Sequence, residues 1–285
     1  MNEMRNTYLL TGLPRAGTTL SCHTLNAYDN TLALHEPLTP SDFDPTLGRA
    51  HAIEQVKKFA VESRIKILNE GTALTRQKDG KVPENPVSYE HIKNGLRQMD
   101  VSLDEISVSQ HISNEHFNLI IKHNALFTAL LPELQQEIPV FAIVRNPLSV
   151  LASWNSVDLP VNKGRLPAGE MFSARLKVQL DNTPDTIERQ LHILEWFCVQ
   201  YATYLPARII RYENLIADPA HIGQVLQLPA VYTGEQKPRA SRNATYDAAL
   251  MEMLYQKLIH YGDAIWQFYT REQVNSLMSD IRAMQ

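Results

Sequence analysis

Cysteine is scarce in this chain: 285 residues carry only Cys22 and Cys198. Two cysteines so far apart supply neither a disulfide framework nor metal-ligand spacing, and they point to a reducing compartment. Long apolar runs are missing too. Val140-Phe141-Ala142-Ile143-Val144 is typical of the longest clean ones, far short of the roughly 20 residues that cross a bilayer as a helix. There is no basic surplus. The net charge of −4 argues against a broad nucleic-acid surface, so any anion must be held by locally placed Arg and Lys. Met1 to Asn6 is polar and has no secretory pattern, so the expectation is a cytoplasmic protein with no transmembrane segment. Repeats and low-complexity stretches are also lacking. What remains, 44% hydrophobic and 20% charged residues, is the composition of a folded globular chain with ample length for a large core.

One further absence is local. Thr11-Gly12-Leu13-Pro14-Arg15-Ala16-Gly17-Thr18-Thr19 follows a short apolar run and has the glycine spacing of a phosphate-binding loop. Thr18 stands where the nucleotide-hydrolase motif has its lysine. Two glycines five apart let the backbone wrap an anion, and the amides at the following helix start point toward it. Arg15 places a cation inside the loop, with a planar fork of donors suited to a pair of phosphate or sulfate oxygens.

The periodicity predicts short buried strands at Thr7–Thr11, Thr31–Leu34, Asn118–Lys122, Pro139–Val144 and Ala207–Ile210, alternating with helices. Helices are expected at Thr18–Tyr28 and His51–Asn69, after Asn146-Pro147, Thr183-Pro184 and Asp218-Pro219, and over most of Tyr246–Met284. Gly71–Pro86 reads as a loop. Tyr89, Ile92, Leu96 and Met99 have helical spacing, and Ser102 with Glu105 has the form of a capping box opening another helix. The expected fold class is α/β: three layers, with a central parallel sheet and helices on both faces. The chain reads as a single domain over 1–285, with a helical insertion at about 40–115 forming one wall of a substrate cleft.

Ligands of open parallel sheets bind outside the carboxyl ends of the strands. Those ends deliver the Gly12–Thr19 loop, then His35 and Glu36, then Lys122 and His123, then Arg145, and finally Arg211, Tyr212 and Glu213. The Asp that helps a P-loop hydrolase hold Mg²⁺ is missing from them. Three ends are basic instead. This pattern suits a polyanion held by protein cations, with no metal expected.

These residues match a known family. Thr11–Thr19 resembles the 5′-phosphosulfate loop of the sulfotransferases that use 3′-phosphoadenosine 5′-phosphosulfate (PAPS). Val144-Arg145-Asn146-Pro147 through Leu151-Ala152-Ser153-Trp154 resembles that family's 3′-phosphate motif, with Ser153 eight positions after Arg145. Arg211-Tyr212-Glu213-Asn214-Leu215 is similar to its Tyr-Glu-Asp-Leu segment, with Asn in place of Asp. The resemblance is strongest in these three segments, which are specific when taken in order, and at the ends of strands two and four. The rest of the chain, including the acceptor-binding region, has no comparable signature.

The resemblance implies a PAPS-dependent sulfotransferase, closer to the carbohydrate and bacterial members than to the cytosolic type. It implies sulfuryl transfer to a hydroxyl or amine of a small molecule, sugar or lipid. The donor residues would be Gly12, Pro14, Arg15, Ala16, Gly17, Thr18, Thr19, Arg145 and Ser153, with Tyr212 near the adenine. Arg15 would also be catalytic, stabilising charge on the departing phosphate. His35-Glu36-Pro37-Leu38 looks like the Glu-Pro segment in which the Glu serves as base, so Glu36 is the first candidate. His123 is the rival, because cytosolic members use a His near a Lys; there one residue usually separates the two, whereas Lys122 and His123 are adjacent. Lys237–Arg242 is similar to a late basic segment that closes over the nucleotide. Two other readings remain open: a small-molecule kinase using ATP and Mg²⁺, and a non-catalytic nucleotide-binding protein on the same scaffold.

Overall fold

The computed structural model describes residues 4–235 and 246–283. Its elements run β1 (Thr7–Gly12), α1 (Thr18–Leu25), β2 (Thr31–His35), α2 (Gly48–Glu70), β3 (Thr72–Gln77), β4 (Val87–Lys93), β5 (Leu96–Met99), β6 (Ser102–Ser107), β7 (Asn118–Lys122), α3 (Asn124–Ala129), α4 (Leu131–Glu137) and β8 (Val140–Val144). They continue with α5 (Pro147–Trp154), α6 (Pro167–Phe172), α7 (Ala174–Asp181), α8 (Thr186–Tyr204), β9 (Ile209–Arg211), α9 (Tyr212–Ala217), α10 (His221–Leu226), α11 (Ala248–Leu258) and α12 (Arg271–Ala283). Among the described residues no helix is long and apolar enough to cross a membrane.

Five strands form one parallel sheet in the order β2-β7-β1-β8-β9. Every residue of β2, β7 and β8 is buried. Parallel strands can be buried in this way only when both faces are covered, so the expected three-layer α/β arrangement is present. β7 and β8 lie on opposite sides of β1. That divergence opens a crevice beyond the carboxyl end of β1, where the Gly12–Thr19 loop emerges. Cys22 and Cys198 are both buried as free thiols.

Register decides which side chains meet at that edge. Leu10 lies opposite Lys122, and Lys122 lies opposite His35 on the other side. β2 therefore has no direct contact with β1 in the sheet. It reaches the crevice because β7 carries Lys122 between them. On the far side, Val144 lies opposite Arg211, which places Arg145 and Tyr212 one residue beyond paired strand ends.

The expected helical insertion is corrected by the structure. Only α2 is a long helix there. Thr72–Ser107 forms two antiparallel pairs, β3 with β6 and, nested inside, β4 with β5. The turn at Asn94-Gly95, with φ of 51° and 76°, explains the difference. Two successive left-handed residues make the tight turn whose twist matches a hairpin, and they end any right-handed helix. The helical spacing of Tyr89, Ile92, Leu96 and Met99 straddles that turn. Glu105 does not cap a helix. It reaches across to Lys66 on α2 and accepts from Thr72.

Local signals elsewhere hold. Asn146 caps α5 by accepting from the Leu148 amide at 3.1 Å, with Pro147 in the first turn. The long helix near Thr183 starts later than expected, at Thr186, capped by Asp185 rather than Thr183. Replacing Asn146 with Ala should cost about 1 kcal/mol of stability, the usual value of a lost N-cap. The check is a lowered urea midpoint with an unchanged slope.

Candidate functional site

A cavity of about 1000 Å³ opens at the carboxyl edge of the sheet. Pro14, Arg15, Gly17, Thr18 and Thr19 line it from the loop and α1. Glu36, His123, Arg145 and Tyr212 line it from the ends of β2, β7, β8 and β9, together with His35 and Lys122. Thus most of the residues expected to act together do share one cavity. Gly12, Ala16 and Ser153 lie behind its wall, where they shape or brace the loop.

The loop is held from the protein side. The Ala16 amide donates to the Leu13 carbonyl at 3.0 Å, Trp154 Nε1 donates to the Pro14 carbonyl at 2.7 Å, and Arg145 Nη1 donates to the Arg15 carbonyl at 3.3 Å. These bonds occupy three successive carbonyls, the negative ends of the loop's peptide dipoles. The first amides of an α-helix have no partner within the helix, so the start of α1 offers donors to an anion. Gly17 has φ of 88°, and a side chain there would strike the Tyr212 ring at 2.5 Å. Glycine is therefore required both by the backbone and by the aromatic ring seated on it. At Gly12, a Cβ would meet the Ile143 carbonyl oxygen at 2.6 Å, so the loop leaves β1 in tight contact with β8.

Arg15 also has left-handed φ, at 68°. Strain of this kind in a non-glycine residue persists where the surrounding contacts impose it. Its Nε donates to Ser153 Oγ at 3.3 Å and its Nη2 to Asn85 Oδ1 at 3.1 Å. Among the described residues it has no carboxylate partner. Burial, then the nearby charge of Arg97, lowers its pKa to about 10, which still leaves it charged at neutral pH. Arg145 stacks over the Tyr212 ring at 4.5 Å, a cation–π contact that orients its guanidinium. Glu213 has a supporting role: it accepts from the Asn146 amide and from the Tyr269 hydroxyl.

The second half of the cavity is a compact cluster. Lys122 is almost fully buried, and its Nζ donates to Glu36 Oε1 at 2.6 Å. Arg76 Nε lies 4.0 Å from Glu36 Oε2. Burial would raise the Glu36 carboxyl. The charge of Lys122 above all, with its hydrogen bond and lesser contributions from the His35 and His123 rings, outweighs it and holds Glu36 well below the usual carboxylate range. Burial first, with Lys122 next, lowers His35 to about 3. His123 is lowered to about 4, by burial and by Lys122 and Arg76 against the opposing pull of Glu36. Both rings are neutral at pH 7. His123 Nδ1 is buried with no hydrogen-bond partner among the described residues, an open position of the sort that a bound group satisfies.

Several residues of the site were not singled out from sequence. Lys122 and His35 were visible as strand-end residues beside the candidate bases His123 and Glu36 but were given no role of their own. Trp154 reads from sequence as a core or cleft-wall aromatic, and only its indole bond to Pro14 reveals that it anchors the loop. Asn85 lies in the stretch read as a loop, before β4. Arg76 and Arg97 lie in segments misread as loop and helix, and the signal that could have found the β4–β5 hairpin is Asn94-Gly95. The basic stretch Lys237–Arg242 lies outside the described residues.

No protein-family model matches the chain, and no curated protein matches it.

All three lowered groups bind fewer protons folded than unfolded. As pH falls, the unfolded chain takes up protons first at its histidines, near 6.5, then at its carboxylates, near 4.5. Stability is therefore complete above the unfolded values and is lost as pH drops below them. Urea unfolding should show falling stability from pH 7 to pH 4, and His123→Gln should flatten that slope between about 6.5 and 4. Parallel pH profiles for the two proteins would contradict the buried, neutral state of His123.

Proposed function

We propose that this chain is a sulfotransferase that moves the sulfuryl group of PAPS to an acceptor hydroxyl or amine. The observation that carries the reading is the pair of guanidiniums, Arg15 and Arg145, held at separate points of one cavity by different elements. PAPS has two anionic ends, and this arrangement offers a cationic donor to each. The residues fit such a ligand in kind: Arg15 has no carboxylate partner among the described residues, and α1 starts at the cavity wall, where its first-turn amides have no partner within the helix. The Tyr212 ring beside Arg145 offers an apolar face to a nucleotide base.

Bound PAPS supplies an activated sulfuryl group whose leaving group is a phosphate. The acceptor oxygen bonds to sulfur as the bond from sulfur to the bridging oxygen breaks. The electron pair stays on the departing bisphosphate, and the hydroxyl proton passes to a base of this chain. Arg15 donates to the oxygens on which that charge develops. Glu36 accepts the proton. Its tie to Lys122 makes it a weak base until the ammonium turns toward the anionic donor; the carboxyl then rises toward its ordinary range. His123, neutral and with Nδ1 open, lines the same space and orients the acceptor hydroxyl.

Calorimetry should show binding of 3′,5′-adenosine bisphosphate in the presence of a chelator. Arg145→Ala should weaken it by about tenfold or more, the worth of a charge-assisted hydrogen bond. Binding of ATP with Mg²⁺ but not of the bisphosphate would overturn the reading in favour of a kinase. In a sulfate-transfer assay, Glu36→Gln should spare bisphosphate affinity and lower turnover by about 10²-fold or more. Full activity in that variant would move the base to His123.

A further inference from the structure

The donor reading uses Arg15 and Arg145 and leaves one lining cation without a task. Arg97 sits on β5, in the hairpin that forms the cavity's outer wall. Its backbone is stitched to the segment after α5: the Arg97 amide donates to the Ser156 carbonyl at 3.1 Å, and the Asp158 amide donates to the Arg97 carbonyl at 2.9 Å. Its side chain is fixed as well. Nη2 donates to Ser156 Oγ at 2.7 Å, Nε donates to the Ser156 carbonyl at 3.4 Å, and the guanidinium stacks on Tyr89 at 4.7 Å. These contacts use one edge of the fork. Among the described residues Nη1 has no partner, and Arg97 has no carboxylate within ion-pair distance.

The charges around it are otherwise accounted for. Lys122 bonds Glu36, and Arg76 approaches the same carboxylate. Arg15, which likewise has no carboxylate partner among the described residues, is close enough for the Arg97 charge to lower its pKa. Two neighbouring guanidiniums, neither ion-paired to a carboxylate among the described residues, are unfavourable unless an anion joins them. The wall next to Arg97 is apolar. Val157 bridges to Arg97 in parallel, and the chain continues from it into Leu159, Pro160 and Val161, which line the cavity.

We propose that Arg97 is a specificity residue that receives an oxyanion on the acceptor, so that the acceptor is a small hydroxyl-bearing molecule with an apolar body and an anionic group. The proposal rests on the sulfotransferase reading of the same cavity. Tyr89 and Ser156 hold the guanidinium in advance, which reduces the ordering needed on binding. The apolar body lies along Leu159–Val161, and the anionic group meets the open Nη1 edge.

The test uses two phenols of similar shape, 4-hydroxyphenylacetate and its methyl ester, titrated into the full chain with and without saturating 3′,5′-adenosine bisphosphate. The acid should bind about tenfold more tightly than the ester, as for a hydrogen-bonded charge pair. Arg97→Gln should remove that preference and Arg97→Lys should keep it, both at an unchanged melting temperature and with bisphosphate affinity within about twofold of the parent. The variant series reads a ratio, which a merely structural role for Arg97 would not move. Equal binding of acid and ester, no binding of either, or a preference that survives in Arg97→Gln would overturn the proposal. So would a tenfold loss of bisphosphate affinity in Arg97→Gln, which would assign Arg97 to the donor. If the parent protein fails to bind the bisphosphate, the sulfotransferase reading falls. The acid preference and its loss in Arg97→Gln are still read from the titration without nucleotide.

Discussion

An ammonium buried at the centre of a sheet must be compensated, and Lys122 is compensated by Glu36. Lys122 ends the strand next to β1, with only 1% of its surface exposed. Left unpaired, it would carry a desolvation cost that few single contacts offset. Glu36 meets that demand from the neighbouring strand end, and to do so it adopts a left-handed backbone with φ of 44°. The rest of the cluster follows. His35 and His123, crowded against the same positive charge, stay neutral. Arg76 is drawn in from the β3–β6 pair, which ties the insertion to the sheet edge.

The loop before α1 is organised on the complementary plan. There, protein donors occupy carbonyls, and Arg15 has no carboxylate partner among the described residues. Trp154 and Arg145 each hold one loop carbonyl, and Ser153 and Asn85 orient Arg15 without neutralising it. One side of the cavity thus pairs its charges internally, and the other presents guanidiniums to the cavity. A reaction that binds a polyanion on one side and moves a proton on the other fits that division, and it is the physical basis of the proposed sulfuryl transfer.

The sheet was legible in sequence because its strands are short, mostly apolar at their centres and bounded by polar strand ends. The loop was legible because its glycines, its arginine and its threonine pair are adjacent in the chain. The insertion was not. Tyr89, Ile92, Leu96 and Met99 fit a helical period by spacing alone, while a two-residue turn at Asn94-Gly95 imposed a hairpin. Periodicity is summed over a window, but a turn is decided by one dipeptide, and here the dipeptide prevailed.

Sequence by itself determined the strand–loop–helix unit, the N-cap at Asn146 and the strand-end positions of Glu36, Lys122, His123 and Arg145, because each depends on residues within a few positions of one another. Only the tertiary structure decided that β7 lies between β1 and β2, that Lys122 bonds Glu36, that Ser153 braces Arg15 and that Arg97 arrives in the same cavity from a hairpin. Those contacts join residues from 59 to 138 positions apart. Strand order and register bring them together, and neither is encoded in local spacing.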